Sequence, residues 1–230
     1  IAIGSARLLG FDLMQNFNFP YLSKSISEFW KRWHITLGSW MRDYLYIPLG
    51  GSQGGTWMKV RNTFIIFLVS GFWHGANWTF IFWGALNAIY FLPLLLTNNN
   101  RKNLGVVAEG KLLPSFRELL AMLTTFILTV FAWIFFRAEN IEHAINYISE
   151  IFSQSIFEIP SVGLGIPIII TLLLILLFLL IEWLGREHQY AIAYLGLQWK
   201  RLLRYAMYCA IIITILLCAG QEQQFIYFQF

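Results

Sequence analysis

The stretch that decides the fold is residues 62–100, NTFIIFLVSGFWHGANWTFIFWGALNAIYFLPLLLTNNN, which carries Ser70-Gly-Phe-Trp-His74-Gly-Ala-Asn-Trp78 inside it. Its thirty-nine residues include no Lys, Arg, Asp or Glu. An apolar run of this length belongs in lipid, where ionisable side chains are rare and mark functional pathways. His74 is the ionisable group here, and imidazole takes up and releases protons near neutrality.

Composition extends the same reading to the whole chain. It is 58% hydrophobic, 18% aromatic and 12% charged, where a soluble domain has about 45–50% apolar and about 25% charged residues. The expected fold is all-α, a polytopic transmembrane helix bundle with amphipathic interfacial and short or broken helices. The net charge of +4 is dispersed among loops between apolar runs, which reads as topology and not as nucleic-acid binding. Cys209 and Cys218 share one apolar run, nine residues apart on a helix and too distant for a disulfide. The chain begins at Ile1 without a signal pattern, so a fragment of a larger bundle is expected.

Five regions follow in order. Residues 1–22 end in Phe17-Asn-Phe-Pro-Tyr21, where Pro20 predicts a helix exit. Residues 23–61 read as amphipathic and cationic: a helix opening on the capping-box spacing Ser25-Ile-Ser-Glu28 and running to Leu45, then a turn-rich loop at Pro48, Gly50-Gly51 and Gly54-Gly55 before the next apolar block. The helix's apolar positions, including Phe29, Trp30, Trp33, Leu37 and Trp40, recur at helical period, with Glu28, Lys31, Arg32 and Arg42 largely on the opposite side. A Trp-rich helix of this kind lies in a membrane interface. The uncharged block 62–97, a polar loop 98–118 and three cleaner spans near 119–136, 163–183 and 205–220 complete the chain.

Loop charges predict sidedness. Basic residues dominate 23–61, 98–118 (Arg101, Lys102, Lys111, Arg117) and 185–204 (Arg186, Lys200, Arg201, Arg204), whereas 137–162 holds Arg137 against Glu139, Glu142, Glu150 and Glu158. The positive-inside rule puts the first three in the cytoplasm and the last outside. The block 62–97 must then cross an even number of times. As one helix it would extend roughly 50 Å, short of two crossings of about 30 Å. Short, tilted or broken helices meeting near mid-membrane resolve this, with His74 where a cavity reaches into the bilayer. Gly71, Gly75 and Gly84 suit such close approach.

The four histidines differ in setting. His143 and His188 sit among charged residues and read as solvated. Burial keeps His74 neutral and able to accept a proton, so beside an alcohol it can act as general base. Asn77, three residues on, would share its helical face and orient the ring. The competing reading is a histidine bonded between helices. His34, in Phe29-Trp-Lys-Arg-Trp-His34, reads as a second active-site group or tunnel-mouth residue, or equally as an interfacial histidine with its tip in water. No metal site is expected, because no Cys cluster exists and carboxylates nearby are few. Gly50-Gly-Ser-Gln-Gly-Gly55 lacks the Lys of a phosphate loop, and no nucleophile elbow is present.

At these residues the chain resembles the membrane-bound O-acyltransferase family, in particular its bacterial branch that O-acetylates alginate and related exopolysaccharides. The resemblance rests on Phe17-Asn-Phe-Pro-Tyr21, Ser27-Glu-Phe-Trp-Lys-Arg-Trp-His-Ile-Thr-Leu37, Trp40-Met-Arg-Asp-Tyr-Leu-Tyr-Ile-Pro-Leu-Gly-Gly51, Arg61-Asn62, Gly71-Phe-Trp-His-Gly-Ala-Asn-Trp78, Phe131-Ala-Trp-Ile-Phe-Phe-Arg-Ala138 and Phe225-Ile-Tyr-Phe-Gln-Phe230. It implies that residues 1–230 are the C-terminal part of a single domain of that type, with His74 and His34 as the catalytic pair. It further implies acetyl-CoA as a cytoplasmic acyl donor substrate, with no bound cofactor, in a bacterial inner (plasma) membrane, multi-pass. A periplasmic or membrane-anchored acetyltransferase partner would carry the group to the polysaccharide. A cousin branch moves D-alanine toward teichoic acids and shares the Trp-His elements. Two non-enzymatic readings stand beside these: a conduit supplying acyl groups to a partner transferase, and a scaffold docking a partner through the Trp-rich helix.

Overall fold

The computed structural model describes residues 2–100, 105–153 and 165–217. Arg101, Lys102, Glu158, Cys218, residues 163–164 and 218–220 of the expected spans, and the aromatic run 225–230 lie outside them. Among the described residues every regular element is helical. Three of the described helices are long and apolar enough to cross a membrane: Trp78–Leu96, Phe116–Arg137 and Ile166–Gly185.

The chain opens with α1 (Ala2–Leu8), which ends well before Pro20. Pro20 starts a 3-10 turn, Pro20–Leu22, instead of closing a helix. The turn-rich loop expected at 48–55 is present, but the amphipathic helix expected before it is broken. Helix α2 (Ile26–Arg32) stops at Trp33, His34 takes a left-handed conformation (φ 48°), and α3 (Ile35–Met41) continues into one π-helical turn, Arg42–Tyr46. The cause lies eighteen residues upstream. The Asn18 N–H donates to the Arg32 carbonyl at 3.0 Å, and the Ile35 N–H donates to the Asn16 carbonyl at 3.0 Å. Asn16 Oδ1 accepts from the N–H and hydroxyl of Thr36. The groups that a continuous helix would pair internally are satisfied by this crossing segment, so each half ends there.

The two halves form a re-entrant hairpin. Near its start, the Ser27 hydroxyl donates to the Asn100 carbonyl at 2.6 Å and Lys24 approaches Glu118 at 3.8 Å. One turn on, Trp30 reaches Asn87 and Trp83, and Trp33 packs on Trp133 near the far end of the bundle. The chain has returned by residues 49–51, whose carbonyls accept from Asn62. The first turn of α2 is enclosed, residues 26–29 being buried, while Lys31 further on is exposed. Glu28 is 1% exposed and pairs with Arg32 at 2.7 Å. Its other oxygen accepts from the Lys24 N–H at 2.7 Å, so the capping box is completed on the Ser25 side only.

Helices α4 (Gly55–Trp73) and α5 (Trp78–Leu96) make the second hairpin, joined by residues 74–77. Two antiparallel helices of 19 residues, each about 28 Å long, stand where short or broken helices were expected, and of the two only α5 is long and apolar enough to cross a membrane. The length shortfall vanishes because α4 begins at Gly55 and takes Lys59 and Arg61 into its first two turns. Close approach of these helices depends on two glycines. A Cβ at Gly71 would lie 2.3 Å from the Phe80 carbonyl oxygen, and one at Gly84 would lie 2.3 Å from that of Phe67. Positions 71 with 80 and 84 with 67 share one antiparallel register.

Helix α6 (Phe116–Arg137) starts on a full capping box between Ser115 and Glu118, and α7 (Ile141–Ile151) turns away from its end. Trp83, Ala132, Phe135 and Ala144 form the core where α5, α6 and α7 meet. Helix α8 (Ile166–Gly185) leads to Arg186, whose guanidinium donates to the carbonyls of Val107, Ala108 and Lys111. Helix α9 (Arg201–Leu217) has 17 described residues. These contacts gather the basic segments at one end. At the other, the Asn77 Nδ2 donates to the Glu139 carbonyl at 2.8 Å, bringing the α4–α5 connection to the acidic α6–α7 corner.

Candidate active site

His74 follows the last residue of α4, its N–H donating to the Gly71 carbonyl at 3.0 Å. The expectation of a mid-depth position came from its place in the uncharged run. In a hairpin the interior of the sequence becomes the far tip, and that is where His74 sits. Its half-buried ring is enclosed by aromatics. Phe136 stands perpendicular at 4.9 Å and Trp83 at 5.4 Å, with Trp73 at 5.1 Å and Phe80 at 6.1 Å.

Asn77 does not share a helix with His74. It caps α5, its Oδ1 accepting from the Thr79 N–H at 3.1 Å, while its amide nitrogen holds Glu139. The intervening Gly75, at φ 148°, breaks the helical phase that would have put both residues on one face.

His34 sits at the apex of the α2–α3 hairpin. Its left-handed backbone keeps the imidazole out of either helix, and the ring packs 6.3 Å from Phe17. Its Nδ1 is buried and has no hydrogen-bond partner.

Between α2–α3 and α4 lies a cavity of about 810 Å³. Lys31, Arg42, Lys59, Tyr46 and Ser52 stand on its lining, as do Trp30, His34 and Ser70. Arg42 donates to both Asp43 oxygens, at 2.7 and 3.0 Å, which holds that carboxyl below the usual carboxylate range. Along α4, Lys59, Thr63, Ser70 and His74 fall at steps of four, seven and four and so lie on one face. The cavity follows that face from its cationic end to Ser70. His74 is one turn further and is not among the lining residues.

Such a space can admit an anionic donor at the cationic end and lead its reactive part toward the histidines. A neutral imidazole there can accept a proton from an attacking hydroxyl. Among the described residues no group of three or more His, Cys, Asp or Glu could hold a metal. His143 lies exposed on α7, and His188 packs against Tyr194 at 4.3 Å, away from the cavity. The sequence reading passed over Thr63, Ser70 and Asn87, although polar side chains in apolar helices were a signal available there.

Comparison with known proteins gives these residues a context. The family model for membrane-bound O-acyltransferases matches residues 1–105, the part that holds both histidines. A Pseudomonas aeruginosa protein named "Probable alginate O-acetylase AlgI" is 41% identical over 163 residues, covering 71% of this chain and 29% of the relative. A Pseudomonas putida protein of the same name is 34% identical across 100% of this chain and 49% of its own length. A "Peptidoglycan O-acetyltransferase" from Helicobacter pylori is 41% identical over 146 residues, 64% of this chain and 26% of the relative. The chain thus spans half or less of these relatives' lengths.

Proposed function

The chain belongs to the membrane-bound O-acyltransferase family, and we propose that it carries the catalytic histidines of an O-acetyltransferase that modifies a cell-envelope polysaccharide such as alginate. The observation that carries this reading is the cavity along the polar face of α4, lined by cationic side chains at one end and reaching His34 and Ser70, one turn from His74. The donor is acetyl-CoA, a substrate and not a resident cofactor, entering from the cytoplasmic side of a bacterial inner membrane. Lys31, Arg42 and Lys59 suit its phosphates. The hydroxyl oxygen of the acceptor attacks the thioester carbonyl, and His74 takes the hydroxyl proton. The carbon–sulfur bond breaks, and the CoA thiolate leaves and is protonated.

His34 lines the cavity from the opposite wall, and its buried Nδ1, without a hydrogen-bond partner, would pair with a donor group or the reacting carbonyl through water once substrate is bound. A periplasmic or membrane-anchored acetyltransferase then moves the group to the polymer. A second acceptor, peptidoglycan, is favoured by the 41% identity to the Helicobacter protein.

The test uses the full-length protein purified with its partner and given labelled acetyl-CoA. Formation of a new labelled ester supports the reading, and its absence with intact label transport makes the chain a conduit. Transfer of D-alanine from a carrier, with no use of acetyl-CoA, assigns it to the teichoic-acid branch.

A further inference from the structure

Residues 47–54, the glycine-rich run that lacks the lysine of a phosphate loop, join the π-helical turn to α4. Gly50 and Gly51 both stand in the left-handed region, at φ 93° and 54°, which glycine enters at little steric cost. Bonds inside the loop, such as the Gln53 N–H to the Gly50 carbonyl at 3.2 Å, fix its local turns. They do not fix where it sits on α4. That tie is made by Asn62, two turns into the helix and 0% exposed. Its Nδ2 donates to the Gly51 carbonyl at 3.0 Å and the Leu49 carbonyl at 3.2 Å. Its Oδ1 accepts from Arg61 Nε at 3.1 Å and Nη2 at 2.9 Å, and the same Nη2 donates to Leu49 at 3.1 Å. A buried amide is costly unless its polar atoms are paired. Here the pairing is spent on the loop.

What it holds is the cavity wall beside the cationic end. Gly51 is buried, its N–H donates to the Tyr46 carbonyl at 2.8 Å, and a Cβ there would lie 3.7 Å from the Tyr46 ring. The next residue, Ser52, meets the Tyr46 hydroxyl oxygen through its own at 2.8 Å. Tyr46 and Ser52 both line the cavity, together with Arg42 one turn before Tyr46 and Lys59 one turn before Asn62. Asn62 is not on the lining, so a side chain that the donor does not meet places two that it does.

We infer that Asn62 is a positioning residue for donor capture: by clasping the Leu49 and Gly51 carbonyls it holds Tyr46 and Ser52 in the wall where the anionic head of acetyl-CoA binds beside Arg42 and Lys59. This rests on the reading that acetyl-CoA enters at that end. The head lies far along the donor from the thioester, so its contacts are the same before and during acyl transfer. Binding that is uniform in this sense sets KM and leaves kcat alone.

The experiment uses the full-length protein with its partner, labelled acetyl-CoA, and the variants Asn62→Asp and Tyr46→Phe. Asn62→Asp keeps the size of the side chain and the acceptor for Arg61, and puts an acceptor where Nδ2 donated. Tyr46→Phe keeps the ring over Gly51 and removes the bond to Ser52. Asn62→Asp should raise the KM for acetyl-CoA about fivefold or more, the order of one net hydrogen bond, with kcat held within about twofold. The Kd for CoA, measured at equilibrium without turnover, should rise in the same proportion. Tyr46→Phe should move KM and Kd in the same direction by about threefold. A merely structural role predicts otherwise, since fewer folded molecules lower the apparent kcat and leave KM and Kd where they were. Natural KM and Kd in Asn62→Asp overturn the inference, as does a loss confined to kcat. If Asn62→Asp fails to insert, Tyr46→Phe decides by the same criterion. A natural protein that neither turns over acetyl-CoA nor binds CoA refutes the donor reading itself, and this inference with it; if it does both and the variants match it, only the positioning role has failed.

Discussion

His34 holds φ 48° and ψ 57°, a left-handed conformation costing a non-glycine residue roughly 1–2 kcal/mol. Its side chain repays little of that by packing: one tilted contact with Phe17 and a buried nitrogen without a partner. Backbone strain and an unpartnered polar atom concentrate at functional sites. His34→Gly separates a functional role from a structural one. Glycine relieves the backbone, so the thermal midpoint of the full-length protein should hold or rise, while acetyl transfer falls about 10²-fold or more. Retained transfer with a lowered midpoint would make His34 structural. Glu28 and Arg32 differ in kind. Their enclosed ion pair at 2.7 Å anchors α2, and nothing in the cavity engages it.

At the scale of elements, two hairpins are set against each other, each with a histidine at its turn. The α4–α5 hairpin closes through Gly71 and Gly84, where the opposing carbonyls leave no room for a side chain. Gly71→Leu should force the helices apart, lowering stability by about 1–3 kcal/mol or more and removing activity with it. A thermal midpoint equal to that of the natural protein would show that the close packing is not required. The close approach within residues 62–97 was legible from the glycines, whereas its two full-length helices with His74 at the turn were not, and α6 and α8 were legible from hydropathy alone. The break at Trp33–His34 was not. Its cause is the pairing of Asn16 and Asn18 across the helix ends, a contact no local pattern carries, and the heptad-like spacing from Phe29 to Trp40 reads equally well as one helix. Asn77 was misplaced for the same reason, since its partner Glu139 lies sixty-two residues away.

Across the whole molecule, the basic segments meet at one end and the acidic α6–α7 corner joins the His74 turn at the other. Single cysteines at Ala76 and Glu142 should react with an impermeant reagent from one side of the membrane, and those at Asn99 and Glu187 from the opposite side. Reaction of positions 76 and 99 from the same side would contradict the hairpin topology. In the proposed reaction the donor would enter where Lys31, Arg42 and Lys59 gather and meet the acceptor near the far turn, which is where both hairpin apices carry a histidine. Everything turns on His74, and one comparison addresses it: polysaccharide acetylation in cells expressing full-length His74→Ala at natural levels, with membrane insertion checked by the same cysteine labels. Acetylation should be lost while labelling is unchanged. A normally inserted His74→Ala protein that still supports acetylation would contradict the account.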